Sequence, residues 1–148
     1  MIRTEKRLRL CYTLLILNLC FIWGNSLLPG ELSGAFSNWV KDILAALLPG
    51  DGESVGGGGL LRKLAHFTEF ACLGMCLTWL HSMLQKPRYY ALLMGVGAAC
   101  VDETIQRFVP DRGPSLKDVG IDTCGVITGM ILLLLGHYLI TVKHSKGE

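Results

Sequence analysis

Four long apolar segments constrain this chain more than any other feature of its sequence. They cover about residues 8–28, 64–84, 89–109 and 119–142. Each is long enough for a helix to cross a bilayer, which takes about 20 residues at about 1.5 Å of rise per residue. Because these segments take up most of the 148 residues, little of the chain is left for a second domain. The sequence therefore predicts an all-α fold, a single integral membrane domain over residues 1–148 that is a bundle of four transmembrane helices.

The composition excludes several other classes of protein. Only 18% of the residues are charged and 51% are hydrophobic, with a mean hydropathy of +0.43, whereas a soluble domain usually has about 25% charged residues. Disorder requires low hydrophobicity and a high net charge, and the net charge here is only +2. A nucleic-acid-binding module would carry a strongly basic stripe. None is visible, so we expect no nucleic-acid partner.

The distribution of Lys and Arg predicts the orientation of the helices. Eight of the 14 basic residues lie in the two tails and in the loop between the second and third segments, and the other face holds ten of the 12 acids. Both termini are therefore predicted to be cytoplasmic. The first segment is too long for the apolar core of a signal peptide and no small-residue cleavage pattern follows it, which favours a retained helix.

The long connection after the first segment lies on the outer side and has two parts. In about residues 33–48, apolar side chains recur at steps of three and four with polar ones opposite them, which predicts an amphipathic helix in the membrane interface or over the outer end of the bundle. Residues 50–59 contain six glycines and predict a flexible tether. The Gly-Lys-Ser/Thr ending of a phosphate-binding P-loop is absent.

Ionisable residues inside the apolar segments are the strongest functional signal, because charged groups in hydrocarbon are costly. Lys63, His66 and Glu69 are spaced by three and share one face of the second helix. Asp102 and Gln106, four residues apart, lie near the outer end of the third. Three helices thus bring polar groups to one depth below the outer surface. The predicted ligand-binding residues are Lys63, His66, Glu69, Asp102, Glu103, Gln106, Arg112, Asp118 and Asp122.

The motifs that contain these residues resemble the VanZ-like family of bacterial membrane proteins, which is named after teicoplanin resistance. The matching blocks are Lys-Leu-Ala-His-Phe-Thr-Glu-Phe at 63–70, the Asp-Glu-x-x-Gln-Arg block at 102–112 and the Asp-x-x-x-Asp-x-x-Gly block at 118–129. Asn25-Ser26 at the outer end of the first segment matches as well. The resemblance implies a multi-pass protein of the bacterial cytoplasmic membrane that contributes to glycopeptide resistance. It implies a phenotype and no particular reaction.

A binding site for an amphiphile that enters from the outer leaflet is the first functional hypothesis. Mixed charges at headgroup depth suit a phosphate or sugar headgroup whose acyl tail lies along the apolar bundle. Arg112 would bind a phosphate or carboxylate through its bidentate guanidinium. The candidate partners are a membrane lipid, a lipid-linked cell-wall precursor or a lipoglycopeptide antibiotic. The sequence leaves open whether there is also a protein partner.

Two other hypotheses remain open for the same residues. The first is an intramembrane enzyme that acts on a lipid headgroup, either with a bound metal ion or by acid–base chemistry alone. Its candidate catalytic residues or metal ligands are His66, Glu69, Asp102 and Glu103. The second is a purely structural cluster, in which polar side chains fix the order and register of the helices.

A GxxxG motif, formed by Gly125 and Gly129, lies in the fourth segment. Small residues at this spacing let two helix backbones approach closely. The motif predicts either close packing within the bundle or a dimer face.

Overall fold

The computed structural model describes residues 2–47 and 58–145. Within them every regular element is an α-helix, and there is no strand. In chain order the helices are α1 (Ile2–Ser26), α2 (Gly30–Leu47), α3 (Gly58–Met83), α4 (Tyr89–Gln106) and α5 (Leu116–Ser145). The predicted all-α class is confirmed for the described part of the chain.

Two of the described helices are long and apolar enough to cross a membrane, over Thr4–Ser26 and Leu116–Lys143. Only 17% of the residues in the apolar window of each helix are buried inside the protein, so most of their apolar side chains face outward. α3 and α4 carry polar residues such as Glu69 and Asp102 within their lengths. By length and composition the structure supports two of the four predicted spans, and the four-span topology remains a prediction.

α3 lies at the centre of the bundle and contacts each of the other four helices, with its most extensive contact to α5. Its side chains Phe70, Leu73 and Leu77 are almost fully buried and pack with Ile22 of α1 and Val126 of α5. Packing of this kind, rather than the exclusion of water, holds helices together in a lipid environment. The central position of α3 is what brings its polar N-terminal half against three other helices.

The GxxxG motif packs α5 against α3. A Cβ atom on Gly129 would overlap the backbone carbonyl oxygen of Ala71, and one on Gly125 would lie 2.5 Å from the carbonyl oxygen of Phe67. Only the absence of a side chain at these two positions lets the backbones come this close. Of the two interpretations that the sequence left open, close packing within the bundle is therefore the one confirmed.

The ends of the helices differ from the sequence prediction. α2 begins at Gly30, before the predicted residue 33, and the Gly30 N–H donates to the carbonyl oxygen of Pro110 at 3.2 Å. α3 begins at Gly58, so the last two glycines of the predicted tether are helical, and α4 ends at Gln106, before the predicted residue 109. The remainder of the predicted tether, 50–57, lies outside the described residues.

The described side chains of α2 show which part of its surface contacts the rest of the protein. Its buried side chains include Ser33 and Ser37, whereas Leu32 and Trp39 are more than half exposed. The Ser37 hydroxyl donates to the Ser33 carbonyl at 2.9 Å, which satisfies it within the helix. The serine face of α2 therefore meets the rest of the protein, and apolar side chains such as Ile43 face outward.

Replacing Gly129 with alanine should destabilise the bundle, because the added methyl group would force α5 away from the Ala71 carbonyl. Overpacking of this kind costs about 1–3 kcal/mol. We expect a lower melting temperature of the purified protein in detergent, measured by differential scanning fluorimetry.

Gly136→Ala is the matched control in the same helix, because a Cβ at Gly136 would meet nothing within 4 Å. Alanine favours a helix over glycine by up to about 1 kcal/mol, so this variant should melt at the wild-type temperature or above it. Equal melting temperatures for the two variants would contradict the close α3–α5 approach.

Candidate functional site

Polar side chains from four helices and one loop meet at one end of the bundle. They come from the C-terminal end of α1, the N-terminal half of α3, the C-terminal end of α4, the loop 107–115 and the first two turns of α5. Five of those on α3, α4 and α5 are more than nine-tenths buried, and we call these five the polar cluster. Its members are His66, Asp102, Glu103, Gln106 and Asp122.

The α3 side of the site follows from the three-residue spacing of its polar residues. His66 and Glu69 lie on the same helix face, with 3.6 Å between Nδ1 of His66 and Oε2 of Glu69. The same Nδ1 atom lies 4.0 Å from Oδ2 of Asp102 on α4. One turn before His66, Lys63 is 46% exposed and pairs with Asp118 of α5 at 3.8 Å. Lys63 and Asp118 thus form the outer edge of the site.

Gln106 joins α4 to α1. Its Nε2 atom donates to Oδ2 of Asp102 at 2.8 Å, the pairing that the four-residue spacing predicts, and to the hydroxyl of Ser26 at 3.3 Å. All three side chains are buried. The amide therefore holds one oxygen of Asp102 in place and leaves its other oxygen to the interior of the site.

Asn25 holds the opposite side of the site. Its Nδ2 atom donates to Oε1 of Glu69 at 3.0 Å, and its backbone carbonyl accepts a hydrogen bond from Nη2 of Arg112 at 3.3 Å. Burial, with a smaller contribution from Arg62, lowers the pKa of Arg112, and the carboxylates of nearby acids oppose this shift. An arginine remains protonated under such conditions, so Arg112 brings a positive charge to a group of acids.

The beginning of α5 supplies the third wall. The backbone N–H of Ser115, just before the helix, donates to Oε2 of Glu103 at 2.7 Å, where the positive end of the helix dipole favours an acid. Asp122, in the second turn of α5, lies close to two acids of α4. One carboxylate oxygen each of Asp102, Glu103 and Asp122 lies within 4.8 Å of the other two.

Several buried polar atoms of the site have no hydrogen-bond partner among the described residues. They include Nδ1 of His66, Oε2 of Glu69, Oδ1 of Asp102, Oε1 of Glu103, and Nε and Nη1 of Arg112. Buried polar groups without partners are rare in proteins, since each costs about 1–3 kcal/mol. The site therefore has unused donors and acceptors of both signs.

A small cavity opens beside the polar cluster. Its volume is about 10 Å³, which is about the size of one water molecule. The lining residues are Arg62, Lys63, His66, Glu103, Gln106, Asp118, Ile121 and Asp122. In this conformation the cavity accommodates a water or a metal ion, and a larger headgroup would reach only its cationic edge at Arg62 and Lys63.

The nine residues predicted from the sequence lie in one region. Eight of them either line the cavity or approach a lining residue to within 4.0 Å. The ninth, Arg112, is connected through Asn25 to Glu69. Sequence reasoning missed Arg62, although its position four residues before His66 places it on the same helix face. It also missed the backbone of Ser115, whose role no side-chain pattern reveals.

A much larger cavity, of about 1060 Å³, lies at the opposite end of the bundle. It is lined by parts of α3 and α5 and by the loop between α3 and α4, with basic residues Arg7, Lys86 and Arg88 at its edge. None of the nine predicted ligand-binding residues lines it. The larger cavity and the predicted ligand-binding residues therefore lie at opposite ends of the molecule.

The fold and the site together define a class of protein. An all-helical bundle with apolar side chains on its outside and ionisable groups turned inward is typical of helical membrane proteins. A family model described as VanZ/LLP1 matches residues 10–137, and the chain belongs to this family. The resemblance predicted from the motif blocks is thus confirmed. No curated protein and no solved structure matches the chain.

Family membership and the two apolar helices, taken together, indicate a membrane protein. Family membership also links the chain to glycopeptide resistance.

Replacing Asn25 with alanine should destabilise the protein, because Oε1 of Glu69 would lose its donor while the Glu69 side chain remains only 10% exposed. An unsatisfied buried acceptor costs about 1–3 kcal/mol. Thermal unfolding in detergent should show this as a lower melting temperature.

Asn38→Ala is the control, because Asn38 is an exposed asparagine on α2 and surface substitutions usually change stability by less than about 0.5 kcal/mol. If Asn25→Ala melted together with Asn38→Ala, the link from α1 to Glu69 would have no energetic role.

Proposed function

We propose that this VanZ-family protein crosses the bacterial cytoplasmic membrane with four helices and contributes to teicoplanin-type glycopeptide resistance by binding a lipid or lipid-linked headgroup at its outer face. The observation that carries the proposal is a cationic edge beside a buried polar cluster, at the end of a bundle whose outside is apolar. A lipid-linked cell-wall precursor and a lipoglycopeptide antibiotic belong to the same chemical class of amphiphile.

The charges at the edge of the site favour a phosphate-bearing headgroup. Arg62 and Lys63 line the mouth of the cavity, and Arg112 has two buried N–H groups without partners among the described residues. Charge-assisted hydrogen bonds from such groups are about twice as strong as neutral ones. Because the cavity itself is small, the headgroup would lie across its mouth, with the acyl chain along the apolar outside of the helices.

The exposed surfaces of α3 and α4 support the four-span arrangement. Leu64 on α3, and Leu93 and Met94 on α4, are at least half exposed, while the acids of the same helices are turned inward. Such a distribution suits helices in lipid, where polar groups are tolerated if they face the interior of the bundle. At 18 residues α4 is about 27 Å long, close to the thickness of the hydrocarbon core.

An enzyme that acts on the same headgroup is the second candidate function. It is favoured by His66, whose Nδ1 is buried without a hydrogen-bond partner and lies 3.6 Å from Glu69 and 4.0 Å from Asp102. A histidine between two carboxylates is a common arrangement for a general base. In this case the candidate catalytic residues are those named from the sequence, His66, Glu69, Asp102 and Glu103.

The four-span topology predicts where reporter domains are active. A green fluorescent protein fused after residue 148 should fluoresce, because the C-terminus is predicted to be cytoplasmic. Alkaline phosphatase inserted in the loop 107–115 should be active, since that loop is predicted to lie outside.

Phosphatase inserted in the loop between α3 and α4, next to Lys86, is the matched control and should be inactive in the same cells. Activity at Lys86, or its absence from the loop 107–115, would contradict the predicted topology.

Neutralising the edge of the site should weaken headgroup binding. The double variant Arg62→Gln/Lys63→Gln removes two positive charges from the mouth of the cavity. We expect the purified variant to retain at least about tenfold less phosphatidylglycerol than wild type, the effect of losing about 1.4 kcal/mol. Native mass spectrometry after incubation with phosphatidylglycerol and phosphatidylcholine measures the retained lipid, and the teicoplanin susceptibility of cells that express each variant measures the phenotype.

Arg107→Gln is the control, because Arg107 is an exposed arginine at the same end of α4 that does not line the cavity. It should behave like wild type in both assays. Unchanged lipid retention in a well-folded Arg62→Gln/Lys63→Gln variant would overturn headgroup binding at this edge. A purely structural role predicts that lipid retention and susceptibility change only when folded yield falls.

A further inference from the structure

We infer that the polar cluster is a binding site for a hard divalent cation, held by carboxylate oxygens of Asp102, Glu103 and Asp122 with His66 beside them. The inference rests on the proposed function, because it places the cation at the inner end of the same site and gives the headgroup phosphate a second positive partner. It names the ligands and the class of ion.

The spacing of the three carboxylates suits one ion. One oxygen of each lies within 4.8 Å of the others. Oxygen ligands bind Mg²⁺ or Ca²⁺ at about 2.0–2.6 Å, so two ligands of one ion are at most about 4.0–5.2 Å apart. The three acids come from two helices that pack side by side, α4 and α5, and the adjacent cavity provides about 10 Å³, the space of about one water molecule.

Two of the acids are held in place and yet keep a free oxygen. Asp102 accepts from Gln106 with Oδ2, and its Oδ1 is buried without a hydrogen-bond partner. Glu103 accepts from the Ser115 backbone with Oε2, and its Oε1 is likewise buried and without a partner. Ligating carboxylates in metal sites commonly show this division, in which one contact orients the group and the other oxygen binds the ion.

His66 provides an observation that is independent of the acids. The residue is 8% exposed, and its Nδ1 atom has no hydrogen-bond partner among the described residues. This atom lies 3.6 Å from Oε2 of Glu69 and 4.0 Å from Oδ2 of Asp102. A neutral imidazole nitrogen directed at a group of carboxylates is a suitable additional ligand for a divalent ion such as Mn²⁺. It would complete a mixed oxygen and nitrogen set.

The negative charges of Asp102, Glu103 and Asp122 favour a positive partner. Among the described residues, no Lys or Arg lies within 4.0 Å of a carboxylate of the three acids, and Lys63 pairs instead with Asp118 near the surface. Arg112 brings a positive charge to the region but makes no ion pair with the three acids. Negative charge in a buried, apolar setting is unfavourable unless it is neutralised. A divalent cation neutralises it, and protonation of the acids is the competing explanation.

Binding of Mn²⁺ to the full-length protein in detergent distinguishes the two explanations. Electron paramagnetic resonance should show one saturable Mn²⁺ per chain, displaced by Mg²⁺, with the nitrogen modulation of a histidine ligand that His66→Ala removes. Asp102→Asn/Asp122→Asn should weaken binding by at least about tenfold, since changes to residues that merely orient a metal's ligands already weaken metal affinity by about 10–100-fold. Asp111→Asn, at an exposed acid of the same end of the molecule, should bind as wild type does.

The acid variants also report on folding, because replacing a carboxylate with its amide removes repulsion and keeps the shape. Their melting temperatures without metal should equal or exceed that of wild type, and only wild type and Asp111→Asn should be stabilised by Mn²⁺. No saturable Mn²⁺ binding by wild type, or equal binding by Asp102→Asn/Asp122→Asn, would overturn the cation site and leave protonation as the explanation. Because His66→Ala tests the site without altering an acid, the inference remains testable if the double variant does not fold.

Lipid retention separates this inference from the proposed function. Phosphatidylglycerol retention that falls at least about tenfold in chelator and returns with Mn²⁺ would support both. Retention that is unaffected by chelator, together with an absence of Mn²⁺ binding, would overturn the cation site and leave headgroup binding intact. Saturable Mn²⁺ binding without any phosphatidylglycerol retention would support the cation site and overturn the proposed headgroup function.

Discussion

The need to satisfy ionisable groups inside an apolar bundle controls the arrangement of this molecule. Three of the acids at the end of the bundle that holds the polar cluster each receive a hydrogen bond from a different element: Glu69 from Asn25 of α1, Asp102 from Gln106 of its own helix, and Glu103 from the backbone before α5. The first and the last of these bonds fix the ends of the helices relative to one another. The position of α5 is set in addition by its close approach to α3, which only glycine at the contact permits.

Helix geometry explains how much of the site could be predicted from the sequence. Side chains three or four residues apart on one helix are neighbours whatever the fold, so the pairs His66–Glu69 and Asp102–Gln106 followed from spacing alone. Contacts between helices do not follow in this way. The donor to Glu69 is 44 residues away and the donor to Glu103 is a backbone N–H, so only the packing of the bundle reveals them.

The inward-facing acids also explain why composition supports only two of the four predicted spans. The mean hydropathy of a segment counts an acid as polar whichever way its side chain points. Because α3 and α4 carry inward-facing acids, only α1 and α5 among the described helices qualify as candidate spans by composition. The structure shows that Asp102 is fully buried while Leu93 of the same helix faces outward. The sequence left two positions open for α2, the membrane interface or the outer end of the bundle, because a stripe of apolar residues does not tell whether it faces protein or lipid.

Some buried atoms of the polar cluster have hydrogen-bond partners and others have none among the described residues. This difference favours a ligand-binding role over a purely structural one. A network that only fixed helix order would be most stable with every buried group paired, since a partly satisfied polar network destabilises the fold. Here three hydrogen bonds already join α1 to α3, α4 to α1, and the residue before α5 to α4. Nevertheless Asp102, Glu103 and His66 each retain a buried atom without a partner, and all three atoms belong to groups around the same small cavity. Their number and common position are explained if the missing partner is an ion or a headgroup from outside the chain.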